Sequence, residues 1–153
     1  MAGSGLADML RIKRISLEMA EKVISAALQH ALAIGVPENI AVVDESGHLM
    51  AFKRMDGAKF LATELAINKA FTSAGSRKPT SELSVATLPG APAFGIQTQH
   101  AGRFITVAGG FPLQVNGAVV GAIGVSSGSA SEDHAVAEAG MVAFVALVGE
   151  FPE

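Results

Sequence analysis

Asn116–Gly117 lies between two apolar runs, Leu113 to Val115 and Ala118 to Val125. Asn-Gly suits a two-residue type I′ turn, which needs positive φ at both positions, so the runs are expected to form one β-hairpin. An earlier hairpin is expected from IAVVD, a turn at Asp44–Gly47, and HLMAFKRM returning. Strands joined by tight turns imply a mostly antiparallel sheet. Helical segments surround them. Ser16 is a plausible N-cap for LEMAEKVISAALQHALAI, whose apolar stripe recurs at three- and four-residue spacing and stops at Gly35 and Pro37. A second helix is expected from about Lys59 to Ala74, and a short one, capped by Thr80, through Val85. Residues 87–102 read as loop, Phe104 to Ala108 as a further strand, and the last helix runs from Ser129 or Ser131 to about Val148. Ser129 and Glu132 have capping-box spacing at its start. Helix, hairpin, two helices, three strands and helix describe an α+β fold. We expect one domain over residues 16–153, preceded by a flexible leader over 1–15.

Composition narrows the chemistry. The chain has 153 residues and no Cys, Trp or Tyr. Disulfides, thiol catalysis, iron–sulfur clusters and thiolate ligation are therefore excluded. A net charge of −3 argues against a nucleic-acid module with a basic face. No apolar run approaches the roughly 20 residues that span a bilayer. Residues 1–14 lack a hydrophobic signal core, so a cytoplasmic location without membrane contact is expected. Mean hydropathy of +0.42 is high for a small domain, and apolar surface used between copies of the chain accounts for it.

The glycine-rich run GAVVGAIGVSSGS fits neither the phosphate-loop nor the dinucleotide pattern. Its glycines fall within a strand, where they allow close approach of another backbone or of a ligand. His30, His48, His100 and His134 are scattered without metal-site spacing. Of these His100, in a glycine-punctuated loop beside Gly102 and Arg103, is the best ligand candidate. Lys69 and Arg54 stand in apolar surroundings, so each needs a carboxylate such as Asp44, Asp56 or Glu64, solvent, or an anionic ligand.

In chain order, VVDESGHLMAFKRMDGA, AINKAFTSA, GGFPLQVNGAVVGAIGVSSG and EDHAVAEAG resemble the GlcG/HbpS-type family. This haem-degrading-domain superfamily includes the C-terminal domain of PduO-type corrinoid adenosyltransferases. The resemblance implies a profilin-like sandwich with a five-stranded antiparallel sheet flanked by helices, assembled as a dimer or larger homo-oligomer. It also implies two functional expectations. In the first, the chain binds haem or a related tetrapyrrole. Phe side chains then pack on the macrocycle, Arg54, Arg103 or Lys69 meets the propionates, and His100 or His30 approaches the iron. Gly109, Gly110 and Ser126, which match the family pattern, help frame the cleft. In the second, the chain is an enzyme or accessory factor of glycolate, diol or aromatic catabolism. Lys69 or Asp44 then provides acid/base chemistry on a carboxylated or hydroxylated metabolite.

Overall fold

The computed structural model describes residues 9–149. In order, the elements are α1 (Leu17–Ile34), β1 (Asn39–Asp44), β2 (Leu49–Arg54), α2 (Ala62–Ser76), α3 (Thr80–Ala86), β3 (Gly110–Val115), β4 (Ala118–Ser126) and α4 (Ala130–Gly149). Two 3₁₀ turns, Ile96–Thr98 and His100–Gly102, interrupt the long loop between α3 and β3. The first eight residues of the expected leader lie outside the described residues. Its end is tied down: Ile15 is buried, and its N–H donates to Val120 O at 2.9 Å.

The strands form one antiparallel sheet in the order β2-β1-β4-β3, with β2 and β3 outermost. Both hairpins form as expected, and the second turns through Asn116 at φ 50° and Gly117 at φ 79°. The sheet has four strands, not the five expected. Phe104 to Ala108, read as a strand from its apolar pattern, is irregular. Its hydrogen bonds go elsewhere. Ile105 N–H donates to Thr72 Oγ1 on α2, and that hydroxyl donates to Arg103 O. Val125 O, at the end of β4, accepts from the Lys69 ammonium at 2.9 Å.

α1 and α4 pack together on one face of the sheet, and α2 covers the other. The first face carries large side chains: Ile40, Val42, Leu113, Ile123 and Val125 meet Val23, Ile24, Val136 and Phe144. The second is built from small ones. Gly124 stands opposite Ala41 on β1 and Gly110 on β3, and a Cβ there would collide with the backbone of Ala66 and Ala70. Gly124 therefore lets helix backbone approach the sheet, while Gly121, also on β4, makes room for Ile15.

Helix ends follow the sequence with one exception. Ser16 Oγ accepts from Met19 N–H at 3.1 Å, and Gly35 closes α1 in the left-handed conformation. Ser129 and Glu132 exchange hydrogen bonds ahead of α4. Thr80, expected to cap α3, instead accepts the Gly110 N–H at 2.9 Å, and Pro79 takes the cap position.

Candidate ligand-binding cleft

A cleft of about 350 Å³ opens where the β1–β2 turn, the outer side of α2 and the long loop converge. Its lining includes Glu45 and Ser46 from the turn, Phe71 and Thr72 from α2, and His100 and Phe104 from the loop. Gly47 makes the convergence possible. Its φ is +85°, and a Cβ would sit 2.6 Å from the Phe71 ring, so a side chain there would push α2 off the turn.

Thr72 anchors the loop through its two hydrogen bonds to Arg103 O and Ile105 N. Arg103 then lies over Phe71, its guanidinium carbon 3.8 Å from the ring centroid, while its Nε donates to Asn68 Oδ1 at 3.0 Å. His100 meets the same ring edge-on, with centroids 5.4 Å apart at 74°. Both His100 (φ 53°) and Ala101 (φ 55°) adopt the left-handed conformation, which costs about 1 kcal/mol or more per non-glycine residue. Such strain marks places where the surrounding structure holds a side chain against its local preference. The imidazole remains exposed and has no ion pair among the described residues. Opposite it, Arg14 grips Glu45 with two hydrogen bonds, 2.8 and 2.6 Å, and this pairing holds the Glu45 carboxyl down to about 2. The cleft therefore offers an imidazole and two Phe rings beside an ion-paired carboxylate, with the Arg103 guanidinium stacked on Phe71 at its border rather than in its lining.

Lys69, three residues from Thr72, faces the sheet and is 2% exposed. Its ammonium donates to Val125 O at 2.9 Å, Ser126 Oγ at 3.3 Å and Asp133 Oδ2 at 2.7 Å, which satisfies all three protons. Its carboxylate partner is thus Asp133 on α4, not Asp44, Asp56 or Glu64. Asp133 Oδ1 accepts from Gly128 N–H at 2.8 Å, and Glu38 Oε2 shares that donor at 3.1 Å. Glu38 is fully buried, and its Oε1 lacks a hydrogen-bond donor. Desolvation first, then the Asp133 charge, raises the Glu38 carboxyl to about 8. One ammonium facing two carboxyls in a dry site is neutral when one carboxyl keeps its proton. Glu38 keeps it.

The structure thus brings together His100 and Arg103, and separately Lys69 and Ser126. Gly109 and Gly110 belong with the second group. A Cβ on Gly109 would meet Val125 O and Lys69 Nζ, and one on Gly110 would meet Lys69 O and Ser73 Oγ. Asp44, also buried, binds its own turn: Oδ1 accepts from Ser46 N–H at 2.9 Å and His48 N–H at 3.0 Å. Neither Lys69 nor Asp44 lines the cleft. Arg54 is exposed at the end of the outer strand β2, and His30 is half-buried on α1; neither reaches the cleft. Sequence reasoning missed Phe71 as a cleft wall, and missed Glu38. The unbroken apolar run Ile40 to Val43 places Glu38 just before a wholly buried strand, the one local sign that its carboxyl is desolvated.

The fold is a small α+β sandwich, and its aromatic-walled cleft holds one of the sequence's candidate histidines, His100. The sequence pattern of the family described as "Haem degrading protein HbpS-like" matches residues 15–142, and the chain belongs to that family. A 15.0 kDa protein from the dhaT–dhaS intergenic region of Citrobacter freundii is 36% identical over 137 residues, 90% of this chain and 96% of its own length. The crystal structure of Klebsiella pneumoniae ORFY superposes with a TM-score of 0.88 at 30% identity, covering 91% of this chain and 96% of that one. A PduOC–haem complex superposes with a TM-score of 0.82 at 31% identity, covering 85% and 94%.

Proposed function

We propose that this chain is a cytoplasmic, self-associating protein that binds haem or a related tetrapyrrole in the Phe71–His100 cleft. The observation that carries the reading is the exposed His100 imidazole, held in a strained backbone against Phe71. The residues present suit the group. With no Cys or Tyr in the chain, the iron donor must be histidine, methionine or a weak oxygen, and His100 is the imidazole in the cleft. Phe71 and Phe104 supply apolar wall for a macrocycle edge, and Arg103 has no carboxylate partner among the described residues, so it suits a propionate. Bound haem would supply an iron whose reactivity follows its axial donor and surroundings. The PduOC–haem complex, similar over most of the chain, supports the choice of ligand.

A cavity of this size is at the small end of ligand sites, which run from roughly 300 to 1,000 Å³. A tetrapyrrole would extend beyond it, and a second copy of the chain is the covering we favour. Exposed apolar residues such as Phe60 (79%), Leu61 (75%) and Phe94 (60%) support self-association. Among the described residues no helix is long and apolar enough to cross a membrane.

Titration of the purified protein with haemin tests the reading. A saturable Soret band at one haem per chain is expected, lost in His100→Ala and retained in His30→Ala. A band unaffected by His100→Ala would remove His100 as the ligand, and a spectrum matching haemin on an unrelated protein would end the proposal. Light scattering with and without haemin reads the assembly.

A further inference from the structure

A second cavity, about 380 Å³, lies away from His100, between the α2–α3 connection, the outer strand β3 and α4. Its base is apolar: Phe111 and Phe144 are almost fully buried, with Met141 beside them. Its rim is cationic. Arg77 and Lys78 both line it and both are exposed, and neither has an ion pair among the described residues. Glu82 shares the rim four residues from Lys78 but does not pair with it. The rim therefore carries two positive charges against one negative.

Arg77 adds an independent sign. It ends α2 in the left-handed conformation, at φ 60°, where glycine is the usual residue. Strain accepted for a guanidinium at the mouth of a preformed apolar hollow points to a role for that guanidinium.

We propose that this cavity binds a small amphipathic carboxylate, an aromatic or medium-chain acid. Its apolar body rests on Phe111, Met141 and Phe144, and its carboxylate is received by Arg77 and Lys78. The combination selects the class. Inorganic phosphate would leave the apolar floor wet, and a neutral aromatic would leave both cations without a partner. A single carboxylate also suits a rim on which Glu82 already stands.

Phenylacetate is the probe, titrated into the whole protein and followed through the Met141 methyl resonance by NMR. Saturable shifts at Met141 and at Arg77 are expected, with phenylacetamide and inorganic phosphate each binding at least about tenfold more weakly, the scale of one charge-assisted contact. The surface double variant Arg77→Gln/Lys78→Gln should weaken phenylacetate by a similar factor. Val145→Glu, a carboxylate added to the exposed wall, should weaken it as well. His100→Ala should leave it unchanged. Equal affinity for the amide, an unaffected double variant, or shifts confined to Phe71 and His100 would each overturn the proposal.

Discussion

One turn of α2 serves two sites of opposite character. Phe71 and Thr72 line an open cleft, and Asn68 holds Arg103 of the long loop beside it, whereas Lys69 faces the sheet and ends in a closed cluster with Asp133 and Glu38. In the closed cluster the ammonium meets three acceptors, and Glu38 Oε1 has no hydrogen-bond partner among the described residues. In the open cleft the exposed His100 imidazole has a ring contact but no ion pair among the described residues. The lesson is that charge buried with full partners holds elements together, while a free, strained group at the surface remains available to a ligand.

The contrast breaks most visibly at Lys69. Lys69→Ala leaves Asp133 charged and unpaired in a dry site, so a loss of about 3–5 kcal/mol is expected from urea unfolding. A loss under 1 kcal/mol would mean that water already reaches the cluster. Gly124→Ala tests the close approach that brings Lys69 to the sheet. Its Cβ strikes the backbone of Ala66 and Ala70, so destabilisation of about 1–3 kcal/mol is expected by the same measurement.

Glu38 sharpens the comparison through pH. Its carboxyl is raised from an ordinary 4.5 to about 8 in the folded chain. Below the lower value both folded and unfolded chains hold the proton. Between the two values only the folded chain holds it, so stability falls as pH rises and levels off above about 8. Glu38→Gln keeps a neutral group there and should flatten this part of the Tm-versus-pH curve, with its largest gain over the parent in alkaline buffer. An unchanged slope would show that Glu38 does not hold the proton.

Effects on stability at the cleft are smaller. Arg103→Ala gives up a cation–π contact at a partly exposed site and should cost about 0.5–1 kcal/mol. His100→Ala should change stability by no more than about 0.5 kcal/mol, as exposed positions usually do, while abolishing the Soret band. A large stability loss there would make the histidine a structural residue and erase the contrast.

Local features of this fold were legible in sequence because they depend on neighbours in the chain. The Asn116–Gly117 turn, the Ser16 cap and the Ser129–Glu132 pair each close within four residues. Phe104 to Ala108 had the apolar character of a strand, yet Thr72, about 30 residues earlier, takes its hydrogen bonds. The partner of Lys69 is likewise distant, 64 residues along the chain, so nearer carboxylates looked equally suitable. His100 and Arg103 were legible as candidates from their glycine-punctuated loop. The Phe71 ring that unites them was not, because its helix spacing looks the same whether a Phe faces the core or a cleft.

Pro112 lies in β3, one of the two outer strands, and Lys53 and Arg54 end the other, β2. Proline has no N–H to offer an incoming strand, and adjacent positive charges repel a copy of themselves. Both borders of the sheet are thus discouraged from continuing into a neighbouring molecule. Strand addition by a second copy is therefore disfavoured at either border, and with it growth into an open-ended β-fibril.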